Sequence, residues 1–148
     1  MTSLEPREDG FVVDEIPDVA QLISYLRDAN ISLQDPVRHG GVVYLLTTSR
    51  DSEHQLIVGV RGEVGSLVWA SSSEQYVPSS GLNDNYSDYF TATDVDYSQP
   101  PRSEVPIDLV YKVVEEFHRT RSRPVGIEWV SPPEPAETAG SIDDLLFG

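Results

Sequence analysis

Asp94 and Asp96 stand two residues apart in a strand-forming run, so in an extended chain both carboxylates project from one face. Glu128, in a second strand-like run, is placed to approach them, and three carboxylates can hold a hard divalent cation. That constellation would suit a carboxylate-dependent metal hydrolase. The calcium-loop spacing with its central glycine is missing, and a solvated or partner-facing sheet surface accounts for the same residues. His39, His54 and His118 fall on a turn, a strand start and a last helical turn, a spacing that brings no two onto one metal. Nucleophile elbows, phosphate-cradling glycine loops and dinucleotide fingerprints are absent from their strand-turn-helix contexts. The absence of cysteine removes thiol nucleophiles, disulfides, zinc-thiolate sites and iron–sulfur clusters. No catalytic residue, metal or cofactor is assigned, and the chain is read as a non-enzyme.

Binding chemistry is better represented. From Glu74 to Tyr97 the chain holds Glu74, Asp84, Asp88, Asp94 and Asp96 without a lysine or arginine, interleaved with Tyr76, Tyr86, Tyr89, Phe90 and Tyr97. Within it, 71–88 is rich in Ser, Asn, Asp, Gly and Pro and too long for a passive hairpin loop. Carboxylates speed encounter with a basic surface, and desolvated tyrosines supply affinity. Tyr86, Asp88, Tyr89, Asp94 and Asp96 are the expected partner contacts.

The whole composition agrees. Twenty-five acidic residues against 10 basic ones give a formal net charge of −15, which disfavours nucleic acid and anionic membranes and favours a basic protein partner. No apolar run is long enough to span a bilayer and the N-terminus is acidic, so a cytoplasmic protein is expected. At 148 residues one domain is expected. We divide the chain into a flexible acidic leader at 1–15, a single domain at 16–130 and an acidic, largely disordered tail at 131–148, which closes on the apolar Leu145, Leu146 and Phe147.

The elements that must position these residues follow from periodicity. Val19, Leu22, Ile23 and Leu26 share a helical face, with the helix ending near Asn30. The β-branched and aromatic run after Gly41, then Gln55–Val60, then Ser66–Ala70 read as a meander of three strands. Phe90–Tyr97 regains strand character, and Phe11–Val13 is a candidate edge strand. Ile107, Val110, Val114 and Phe117 lie on one side of an amphipathic helix opened by Pro106 and stopped by Pro124. Val125, Ile127 and Trp129 then alternate in a last strand, and Trp69 and Trp129 are assigned to the core. The expected architecture is α+β: a single mainly antiparallel sheet of about five strands with two helices on one face.

With Gly65-Ser66-Leu67-Val68-Trp69, Ser103-Glu104-Val105-Pro106, Glu116-Phe117, Arg123-Pro124 and Glu128-Trp129 in this order, the chain resembles the immunity proteins associated with deaminase toxins of bacterial polymorphic toxin systems. The resemblance spans about Leu56 to Val130. It departs from the family at Thr120-Arg121-Ser122-Arg123-Pro124, where a glycine is expected at the helix end, and that puts the family's left-handed cap in doubt.

The resemblance implies a non-catalytic inhibitor that binds and neutralises a cognate secreted toxin inside the producing cell. A nucleic-acid deaminase needs a cleft that attracts phosphates, so an acidic, tyrosine-rich loop matches it in charge. Occlusion of that cleft is the expected mechanism. An acidic chaperone or adaptor for exported clients shares the composition, but would bind several clients modestly where an immunity protein holds one tightly.

Overall fold

The computed structural model describes residue 6 and residues 10–32, 40–49 and 53–134. His39 and the terminal Leu145-Leu146-Phe147 lie outside the described residues. Along the chain run β1 (Gly10–Val12), α1 (Val19–Ser32), β2 (Gly41–Thr47), β3 (Gln55–Arg61), β4 (Val64–Ala70), β5 (Gln75–Pro78), β6 (Tyr89–Thr91), β7 (Glu104–Pro106), α2 (Ile107–Thr120) and β8 (Trp129–Val130).

The centre is the antiparallel meander β2-β3-β4, held by registers such as Tyr44↔Val58 and Val58↔Leu67. Each outer edge of that meander carries two short strands end to end. β1 pairs parallel with the second half of β2 (Phe11↔Leu46) and β6 pairs parallel with its first half (Val42↔Phe90). β7 pairs antiparallel with the start of β4 (Gly65↔Val105) and β5 with its end (Trp69↔Tyr76), while β8 extends beyond β5. The α+β class and the helix pair stand. The sheet, however, has eight strands and mixed direction, where about five mainly antiparallel strands are expected from sequence. β1 falls on the candidate edge strand, and the two strands that no expectation covers, β5 and β7, are four and three residues long, too short to show a period of their own.

Both helices cover one face. Leu22, Ile23 and Leu26 of α1 and Val110, Val113, Val114 and Phe117 of α2 pack with Val42, Tyr44, Leu46, Leu56, Val58, Val60, Leu67 and Trp69. The apolar face of α2 read from its spacing is the buried one. Rings fix the details: Phe11, Tyr25 and Tyr44 meet in edge contacts at 5.2 and 5.4 Å, and Trp69 meets Phe117 edge-on at 5.8 Å. Phe11, Val13 and Ile16 are all buried. Residues 10–15, assigned from sequence to a flexible leader, thus form β1 and a turn of 3-10 helix at Val13–Glu15.

The helix end keeps the left-handed cap that the resemblance implies, without the glycine. Arg121 adopts the left-handed conformation (φ 59°, ψ 25°) without being glycine, and its N–H donates to the Phe117 carbonyl at 2.8 Å. Its side chain offsets the unfavourable backbone. Nε donates to the His118 carbonyl at 2.6 Å and Nη1 pairs with Asp14. Asp14 also accepts from the Ser49 N–H at 2.8 Å, so one carboxylate ties together the first turn, the end of β2 and the end of α2.

Candidate functional site

The face of the sheet opposite the helices is covered by the acidic, tyrosine-rich segment. It leaves β5, passes β7 beside β4, and reaches β6 beside β2, so it crosses the sheet from one edge to the other. After β6 the chain folds back: Ser87 pairs with Gln99 and Phe90 with Asp96, the Tyr97 N–H donates to Tyr89 and the Thr91 N–H to Val95. Residues 87–99 therefore make a hairpin that turns Ser87, Tyr89, Thr91, Tyr97 and Gln99 toward the sheet. Tyr89, Thr91 and Gln99 are buried, while Asp88, Asp94, Asp96 and Ser98 are exposed.

Tyr89 departs from its expected role as a contact. It is 0% exposed and packs with Val43, Ile57, Val68, Ala70 and Val77 in the second core. Room for its ring is made by glycine: a Cβ on Gly41 or Gly59 would lie 2.4 or 2.5 Å from the ring carbons. Burial, then the neighbouring Glu104 charge, raises the Tyr89 phenol far above its ordinary value, with Arg61 opposing.

Under this cover lies a polar cluster centred on Glu104, itself 4% exposed. Arg61 donates through Nε to Oε2 at 2.8 Å and through Nη2 to Oε1 at 3.0 Å. The Ser87 hydroxyl donates to Oε1 and the Tyr89 hydroxyl to Oε2, each at 2.8 Å. Burial lowers the Arg61 value, but the hydrogen bond and charge of Glu104 outweigh it and hold the guanidinium raised. Four donors on two oxygens satisfy a buried carboxylate, which is the condition for keeping it charged there.

On the outer side, residues 81–89 alternate in exposure with the period of an extended chain. Gly81, Asn83, Asn85, Ser87 and Tyr89 turn inward to varying depth; Leu82, Asp84, Tyr86 and Asp88 stand out in solvent. Leu82 is 58% and Tyr86 60% exposed. The outward row is apolar, acid, aromatic, acid. Val95, 57% exposed, adds an apolar residue at the hairpin tip beside Asp94, whose φ is 66°. Arg102 lies 3.3 Å from Asp84, an exposed pair that screens little of the row.

Of the expected contacts, Tyr86, Asp88, Asp94 and Asp96 lie on the solvent side of this one segment, and Tyr89 lies beneath it. Leu82, Asp84, Arg61 and Glu104 were not singled out by sequence pattern. Glu104 lies within Ser103-Glu104-Val105-Pro106, which the sequence presents as a helix entry, so nothing local signals the buried pair. The three-carboxylate reading is overturned by topology: Asp94 and Asp96 belong to the hairpin at the β2 edge, whereas Glu128 precedes β8 on the opposite edge. No three His, Cys, Asp or Glu gather as a metal site among the described residues. His118 Nε2 lies 2.5 Å from the Ile16 carbonyl, an acceptor, so that nitrogen carries hydrogen and serves the fold.

The motif residues hold structure. Trp69 and Phe117 are core, Glu116 accepts the Val125 and Gly126 N–H groups at 2.5 and 2.9 Å, and Trp129 donates to the Pro124 carbonyl at 2.7 Å. Among the described residues no helix is long and apolar enough to cross a membrane. Comparison with curated proteins found no match. The family model described as Immunity protein Imm1 matches residues 10–131, which takes in every element from β1 to β8. The chain belongs to the Imm1 family of immunity proteins.

Proposed function

We propose that this chain neutralises one cognate secreted toxin by binding its catalytic domain inside the producing cell, without catalysis of its own, and that the toxin is a nucleic-acid deaminase. The observation that carries the reading is the outward row Leu82, Asp84, Tyr86 and Asp88, continued by Asp94 and Asp96 on the hairpin. A deaminase cleft that draws in phosphates is electropositive and accepts an extruded base. Carboxylates meet the first property and an exposed tyrosine ring the second. The formal charge of −15 steers the encounter over distance, while Leu82 and Tyr86 lose water at the centre of the contact. Occupation of the cleft then excludes substrate.

Co-expression tests this directly. Cells carrying the active toxin domain encoded beside this chain survive when the chain is present. The variant with Leu82→Ala and Tyr86→Ala, produced at the same level, does not protect them. Protection by the variant at wild-type strength places the contact elsewhere.

A further inference from the structure

Glu104 holds the outward row at four points, beside the Arg102 N–H on the Asn83 carbonyl at 2.8 Å, the Ser87–Gln99 backbone pair at 2.9 Å and the Gly41 N–H on the Asp88 carbonyl at 3.0 Å. Leu82 donates its N–H to the Glu104 carbonyl at 2.7 Å, Asn83 Oδ1 accepts the Glu104 N–H at 2.9 Å, and the Ser87 and Tyr89 hydroxyls end on the Glu104 carboxylate. Every second side chain of 81–89 turns outward, and these anchors bracket Asp84, Tyr86 and Asp88 on both sides. Glu104 in turn is held by β7, which pairs with β4, and by the forked guanidinium of Arg61 at the end of β3. The rigid meander is thereby coupled to a stretch with little secondary structure of its own.

We propose that Glu104 is a positioning residue for partner binding: its carboxylate, held by Arg61, clamps Ser87 and Tyr89 and so presents Leu82, Asp84, Tyr86 and Asp88 as a preformed strip. The partner then meets a surface that needs no ordering on contact. A loop of the same composition left free would lose conformational entropy at every side chain that binds. The clamp acts from the buried side and touches no partner atom. This inference rests on the strip being the toxin-facing surface.

The test severs the strip from the clamp while leaving the Arg61–Glu104 pair intact. In the Ser87→Ala and Tyr89→Phe double variant, amide hydrogen exchange of the free protein is expected to speed up about tenfold or more across 82–99, with β2, β3 and β4 unchanged. The catalytically inactive toxin domain encoded beside the chain should bind this variant roughly tenfold more weakly, mainly through slower productive association. Ser87→Thr, which keeps the hydroxyl, should match wild type in both measurements. Glu104→Gln is the companion variant and should loosen the same amides. Unchanged exchange in the double variant overturns the clamp. Faster exchange with unchanged affinity also overturns its role in binding. Tyr86→Ala, measured alongside, tells that failure apart from a wrong surface: if it too leaves affinity unchanged, the strip is not the contact.

Discussion

The Arg61 guanidinium and the Glu104 carboxylate meet side-on, at 2.8 and 3.0 Å, joining the end of β3 to β7. Glu104 is almost wholly buried, while the Arg61 side chain keeps 42% of its exposure. Removing the cation therefore strands a charge with only hydroxyl donors. Arg61→Leu is expected to destabilise the fold by about 2–3 kcal/mol in urea unfolding, below the roughly 3–5 kcal/mol of a fully buried pair because the arginine is itself partly hydrated.

Phe117 lies in the helix-side core, 1% exposed and edge-on to Trp69. Phe117→Ala opens a cavity between α2 and β4 and should cost about 3–5 kcal/mol by the same assay. A loss under 1 kcal/mol would mean that this contact is not packed as described.

Tyr89 sets an alkaline limit. Its phenol is raised above the ordinary value of 10.0, chiefly by burial and then by Glu104. The unfolded chain gives up this proton near its ordinary value while the folded chain retains it, so the contribution is complete below that value and falls as pH climbs beyond it. Tyr89→Phe should be less stable at neutral pH by about 1.5 kcal/mol through loss of a charge-assisted hydrogen bond. Its stability should then decline less steeply on the alkaline side, as denaturant midpoints across pH would record.

Asp14 sets an acid one. The Ser49 N–H holds its carboxyl below the usual 3.8 against the raising effect of burial, and the Ser49 hydroxyl and then the Arg121 charge add to the lowering. A lowered folded value means that the stabilisation is present above 3.8 and is lost as the pH falls through the lowered value. Asp14→Asn should flatten that part of the acid unfolding profile and loosen the Arg121 helix end.

How far these features were visible in sequence depends on the range of the contacts. The period of α2 and the β-branched runs of β2, β3 and β4 are local properties, and those elements stand where the pattern puts them. β7 is a three-residue strand that exists by pairing with β4, a partner distant in the chain, so nothing local announces it, whereas β6 falls at the start of the strand-like Phe90–Tyr97 run. Tyr89 reads as a surface anchor because its neighbours are acidic. Its burial depends on Gly41 and Gly59, which leave space for the ring but signal it only once the strands are in register. Asp88, Asp94 and Asp96 are legible as solvent-facing because carboxylates seldom fill a core, whereas nothing local separates the exposed Tyr86 from the buried Tyr89. Arg121 shows the reverse case: a residue-type rule for helix ends was overridden by side-chain partners on the first turn and on α2 itself.

Binding offers the most direct measurement of the central claim. The inactive toxin domain should be titrated with wild-type chain and with Tyr86→Ala across a range of salt concentrations. The account predicts a tight one-to-one complex whose association slows as salt rises, and a loss on the order of 2 kcal/mol, about 30-fold in affinity, for Tyr86→Ala. A complex indifferent to both salt and Tyr86, or modest binding to several unrelated clients with none held tightly, would contradict it.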